Sequence, residues 1–152
     1  MPVIDLLTEI SAPIQLVFNL SRNLDMHQRS MSHTNEKAIA GKTSGLIELG
    51  ETVTWQARHL GITQKLTIEI TEMEAPFFFV DEQVEGAFKS FRHEHYFKED
   101  KGITVMTDKF HFTSPLGPLG KLADVLFLKK YMTNLLQTRN VALKREAELL
   151  RS

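Results

Sequence analysis

No proline or glycine occurs after residue 120, although the 152-residue chain contains five of the first and eight of the second. In that stretch Leu122, Val125, Leu126, Met132, Leu135, Leu136, Leu143 and Leu150 recur at spacings of three or four, which puts them on one side of a helix with 3.6 residues per turn. One long amphipathic helix over residues 121–151 is expected. Whatever precedes it must offer an apolar face broad enough to cover that stripe.

The sequence before it supplies strands. Across residues 51–59, Val53, Trp55, Ala57 and His59 alternate with Thr52, Thr54, Gln56 and Arg58, and a second run follows over 62–71. With Leu60 and Gly61 as a two-residue turn, Trp55 faces Leu66 and Val53 faces Ile68, so both strands place their apolar sets on one face. Further strands are expected after Ala75-Pro76, over 88–99 and over 103–113. A turn on Asp100-Lys101 would set Phe97 opposite Thr104, His95 opposite Met106, His93 opposite Asp108 and Phe91 opposite Phe110. A turn on Gly86-Ala87 would point Glu82 inward, opposite Phe91, on the face of Phe78 and Val80.

At the start, Val3–Ile10 reads as a strand, Ser11 as a helix cap with Pro13 in the opening turn, and Asn23 as the cap of a second short helix. Residues 114–120, with two prolines and two glycines, form a stiff loop. The order of strand, two short helices, a run of strands and one long helix is an α+β pattern: a curved antiparallel sheet of about seven strands around the C-terminal helix, as one domain over residues 1–152.

Composition narrows the function classes. With 18 basic and 19 acidic residues the formal net charge is -1, so no global field draws the chain onto nucleic acid. The lack of cysteine removes disulfides, thiolate metal sites and a cysteine nucleophile, and fits the cytoplasm. Residues 1–10 do not read as a signal peptide, and no apolar run is long enough for stable membrane insertion.

The arrangement resembles the START-like or SRPBCC (helix-grip) superfamily over nearly the whole chain. Residues 50–59 (GETVTWQARH), 91–95 (FRHEH) and 114–120 (SPLGPLG) are similar to a bacterial polyketide cyclase/dehydrase-like branch whose members are often labelled cell-division-inhibitor-like. The resemblance implies a helix-grip fold around a cavity and a hydrophobic small-molecule ligand of lipid-like, isoprenoid or aromatic type. It carries no shared catalytic residues, no cofactor and no metal.

Several residues are candidates for the site. Trp55, Leu66, Phe78, Phe91, Met106, Phe110 and Met132 would supply an apolar lining, with packed core as the plainer reading. Glu82 would be a carboxylate at the cavity mouth or a ligand contact. His93, His95 and Asp108 share the inner face, where His93 and Asp108 fall within hydrogen-bonding reach. Three readings of this group are open. It could be a structural polar pair, a ligand-orienting or acid–base dyad of a cyclase or dehydratase, or a metal site built on His-x-His. His59 is expected ~20 Å along the strands from this group, with His111 on the opposite face and His27 and His33 at the surface. Phe127, Leu128 and Tyr131 exceed a one-sided stripe. They would contact the short helices, a second copy in a homodimer, another protein, or a membrane through Lys129-Lys130.

Overall fold

A computed structural model describes residues 2–114 and 127–151. The chain runs β1 (Val3–Ile10), α1 (Ile14–Ser21), α2 (Leu24–Ser30), a 3-10 turn (Ser32–Thr34), β2 (Lys37–Gly41), β3 (Thr52–His59), β4 (Ile62–Glu74), β5 (Phe78–Glu85), β6 (Ser90–Asp100), β7 (Ile103–Thr113) and α3 (Lys129–Leu150). The seven strands form one antiparallel sheet in the order β1-β7-β6-β5-β4-β3-β2. Strands β2 to β7 are a meander, and β1 closes it by pairing with β7. Lys37–Gly41 is a strand that no alternating pattern announced. The expected loop over 115–120 and the start of the expected last helix lie outside the described residues.

Local chemistry explains the elements. The β3–β4 turn takes Leu60 and Gly61 at φ 54° and 78°, the pair of left-handed residues a two-residue hairpin needs. Trp55 therefore faces Leu66 and Val53 faces Ile68, as the alternation required. Register shifts along β4, between Thr67 and Ile68 and between Ile70 and Glu72, bend the sheet around its inner face. Asn23 caps α2 by accepting from the Met26 amide at 2.9 Å, an interaction worth ~1 kcal/mol. Ser11 does not cap α1. The cap position is Pro13, without a side-chain bond, and the Ile14 amide donates instead to Glu99 at 2.6 Å.

Two registers differ from the sequence expectation. In the β6–β7 hairpin Asp100 pairs with Ile103, so His93 lies opposite Phe110, His95 opposite Asp108 and Phe91 opposite Phe112. Lys101 and Gly102 form the turn, both at positive φ (52° and 79°), because glycine relieves strain inside the turn rather than after it. This slip of two leaves every side chain on its expected face. On β5 the slip is one. Asp81 opposes His93 and Glu82 opposes Arg92, so Phe78 and Glu82 belong to the outer face, where Phe78 stacks on Tyr96 and Glu82 pairs with Arg92.

Helix α3 crosses the inner face. Tyr131 bonds His59 near the β3–β4 turn, Arg139 bonds Asp108 on β7, and Lys144 and Glu148 reach the β1 end at the Glu9 carbonyl and the Ser11 amide. Its buried side carries Leu135, Leu136, Leu143 and Ala147 together with Arg139 and Asn140. Val53, Ile70, Phe110 and Phe112 of the sheet are fully buried, as is Phe18 of α1.

Candidate functional site

Between the sheet and α3 lies a cavity of ≈ 630 Å³. Its wall is mostly apolar: Trp55, Leu66, Ile70, Phe79, Phe91 and Phe110 come from the sheet, Phe88 from the β5–β6 connection, and Leu128, Met132, Leu135 and Leu136 from the helix side. Leu60, Ile62, His59 and Tyr131 stand at the hairpin end, where the His59 Nδ1–Tyr131 hydroxyl distance is 2.8 Å. Toward the level of Ile70, Asp81 and His93 the wall turns polar, and Asp81, His93, His95 and Arg139 all border the space.

This polar patch is a crossed network. His93 and His95, two apart on β6, stack at 3.7 Å between ring centroids. Asp108 lies opposite His95 along the backbone, yet its Oδ1 bonds His93 Nε2 at 2.8 Å. Asp81 lies opposite His93, yet its Oδ2 bonds His95 Nε2 at 2.7 Å. From α3, Arg139 donates to Asp108 Oδ1 at 2.7 Å and Asn140 Nδ2 to Oδ2 at 2.8 Å. Arg139 also donates to Asn140 Oδ1 through Nε and a terminal nitrogen at 3.0 and 2.8 Å. His95 Nδ1 is buried 3.4 Å from Asp108 Oδ1 without a hydrogen bond.

The electrostatics follow from this geometry. Burial alone would raise the Asp108 pKa, but the Arg139 charge and the neighbouring imidazoles hold it well below the usual carboxylate range. Asp81 is likewise lowered against its burial, chiefly by His95. Burial and the adjacent His95 push His93 down to about 4 despite Asp108. Burial also opposes charge on His95, but the Asp108 and Asp81 carboxylates prevail and raise it. Two carboxylates held ionised and the Arg139 guanidinium thus surround one imidazole, His95, whose charge the carboxylates favour, and a second, His93, that stays neutral at pH 7. That neutral His93 donates through Nε2 to Asp108, which leaves Nδ1 as an acceptor.

The ligand atoms of Asp81, His93 and His95 lie within 4.8 Å of one another. The two rings are only 28° from parallel, so their in-plane lone pairs run side by side, and a metal ion would require one ring to turn. Asp108, the carboxylate expected for such a site, is committed to His93, Arg139 and Asn140.

Of the residues singled out from sequence, Trp55, Leu66, Phe91, His93, His95, Phe110 and Met132 border the cavity. Met106 and Asp108 are fully buried behind its wall, while Phe78 and Glu82 are on the outer face. Asp81 takes the place expected for Glu82. Sequence reasoning also missed Arg139 and Asn140, although Arg139 sits on the Leu135–Leu136–Leu143 stripe, and a charge there needs a buried partner. His27 is not a free surface residue. Its ring lies 4.5 Å from that of Trp55, and its Nε2 is 2.7 Å from Glu36.

No family model and no curated protein sequence matches this chain. Solved structures do. The protein TTHA0849 of Thermus thermophilus matches with a TM-score of 0.79 at 17% identity, over 99% of this chain and 100% of that one. A START superfamily protein of Mycobacterium smegmatis matches at 0.74 with 11% identity, over 97% and 98%. The major latex-like protein 151 of Panax ginseng matches at 0.67 with 14% identity, over 96% and 97%. The fold is therefore START-like, the helix-grip arrangement.

Proposed function

We propose that this protein binds a hydrophobic small molecule, lipid-like, isoprenoid or aromatic, that carries one neutral polar end. The single observation behind this reading is the cavity itself: ≈ 630 Å³ of mostly apolar wall that also carries the bonded polar cluster of Asp81, His93, His95 and Arg139. Sites for small molecules combine these two features, with apolar area giving affinity and a few fixed polar groups giving orientation. The tail would lie against Trp55, Leu66, Phe91, Phe110 and Met132, and the polar end at His93 and Asp81. The Asp81 and Asp108 carboxylates already have His95, His93 and Arg139 as partners, so a charged head would find no free counter-ion in the cluster. A hydroxyl suits this end, because it can donate to the Nδ1 acceptor of His93.

Acid–base catalysis on a bound carbonyl compound, of cyclase or dehydratase type, is a second reading. What favours it is the juxtaposition on the cavity wall of one imidazole whose pKa is lowered and one whose pKa is raised. In that reading His93 and His95 face the substrate and Asp108 only positions them. Native mass spectrometry of gently purified protein tests the binding proposal. The expected result is a one-to-one adduct that His93→Gln weakens. An adduct-free protein whose crystal structure has side chains filling the cavity would end it.

A further inference from the structure

The hairpin end of the cavity carries apolar side chains that stand exposed among the described residues. Leu60 and Ile62, in and just after the β3–β4 turn, are 57% and 61% exposed, and Phe127 is 52% exposed. They form one neighbourhood: His59 pairs with Ile62 across the hairpin, His59 bonds Tyr131, and the Tyr131 ring stacks on Phe127 at 6.3 Å. Protruding aliphatic and aromatic groups at a turn contribute nothing to this core, and their exposure costs free energy.

Charge around these side chains is one-sided. Residues 52–68 and 127–145 contain no Asp or Glu, in a chain whose formal net charge is -1. Arg58 and Lys65 flank the hairpin turn, Lys129 and Lys130 follow Phe127, and all four are exposed. None of them forms a salt bridge among the described residues. Of the carboxylates nearby, Glu85 borders an outer depression together with Lys65, and Glu36, which acts on His59, is buried against His27. Apolar tips ringed by exposed cations match a surface that is apolar beneath and anionic above.

We infer that this end of the molecule docks on an anionic phospholipid bilayer, with Leu60, Ile62 and Phe127 entering the interface and Arg58, Lys65, Lys129 and Lys130 meeting the headgroups. Docking here sets the cavity mouth against the lipid. The inference goes beyond the ligand reading and does not depend on it, because the surface exists whether or not the cavity is filled.

Co-sedimentation of the ligand-free chain with vesicles of phosphatidylcholine, with and without phosphatidylglycerol, tests it. Binding is expected to the anionic vesicles alone and to fade at high salt. Neutralising both lysines, as K129Q/K130Q, should weaken binding by about fivefold per cation, or roughly thirtyfold together. L60S/I62S should weaken it at least ~10-fold while leaving the thermal melt unchanged, since both side chains are exposed. The inference is overturned if the anionic vesicles bring down no protein at low salt, or if both double variants bind like the parent. It is also overturned if size exclusion reveals a dimer that L60S/I62S dissolves, for then the patch joins two copies of the chain.

Discussion

Replacing Asp108 by Asn tests the central claim that this carboxylate organises the polar cluster. The side chain is fully buried and accepts from His93, Arg139 and Asn140. Asparagine keeps the shape but loses the charge, and its amide nitrogen would meet the Asn140 nitrogen, donor against donor. Arg139, itself 5% exposed, would keep a buried guanidinium without its anion. Breaking a buried ion pair by removing one partner costs about 3–5 kcal/mol. For a chain of this size that lowers the melting temperature by roughly 6–20 °C, at about 2–4 °C per kcal/mol. Circular dichroism melts of D108N, R139M and the double variant read this directly. R139M alone strands the carboxylate, whereas the double variant strands neither charge, so its loss should fall well short of the summed single losses. Additive losses, or a D108N protein within about 1 kcal/mol of the parent, would refute the network.

Three further predictions follow from the same geometry. In histidine proton NMR, one ring of the His93–His95 pair should stay neutral until pH nears about 4 while the other titrates above 6.5; two similar midpoints would contradict the crossed network. Because His93 is depressed in the fold, its contribution to stability is present above the unfolded value of 6.5 and is lost as pH falls toward about 4. The contribution of His95 runs the other way, present below 6.5 and lost as pH rises through its elevated folded value. Phe112→Ala, away from the cavity, should cost about 3–5 kcal/mol, and Phe91→Ala clearly less because that ring already borders open space; equal losses in urea unfolding would mean a filled interior. Tyr131→Phe removes the bond to His59 across the mouth, so it should cost only about 0.5–1.5 kcal/mol while speeding exchange of a bound fluorescent fatty acid; an unchanged exchange rate would show that this bond does not gate the mouth.

The fold was legible wherever a local rule and the apolar pattern had one joint solution. At Leu60-Gly61 the turn chemistry and the alternation agree, and the pairs Trp55–Leu66 and Val53–Ile68 follow. At β6–β7 the pattern admits any even shift, since moving by two residues keeps the faces. Only the positive φ of Lys101 and Gly102 selects one. Gly102→Ala should therefore destabilise by about 1 kcal/mol through backbone strain alone, as no atom lies within 4 Å of the added carbon. Strand β5 offered less. Phe77, Phe78, Phe79 and Val80 are apolar on both parities, so nothing in the run separated inside from outside, and the connection from Glu85 to Ser90 is too long to transmit a register. The run therefore offers no local means of telling Asp81 from Glu82 as the inward carboxylate.

The polar site shows what alternation can and cannot deliver. Strand parity brings His93, His95 and Asp108 to one face whichever even register holds, which is why they were identifiable together. Parity does not say who bonds whom. Each carboxylate here reaches past the residue opposite it to the histidine two positions along, a diagonal that backbone spacing permits for long side chains. The outcome then depends on what enters from the third side. Arg139 and Asn140 occupy both oxygens of Asp108, and that keeps Asp108 anionic and ties Nε2–H of His93 to it. His95 is left with Asp81 as its bonded counter-ion, on the cavity side. Two equivalent histidines on one strand thus become one whose charge is disfavoured and one whose charge is favoured, and the difference is imposed by a helix more than thirty residues away in sequence.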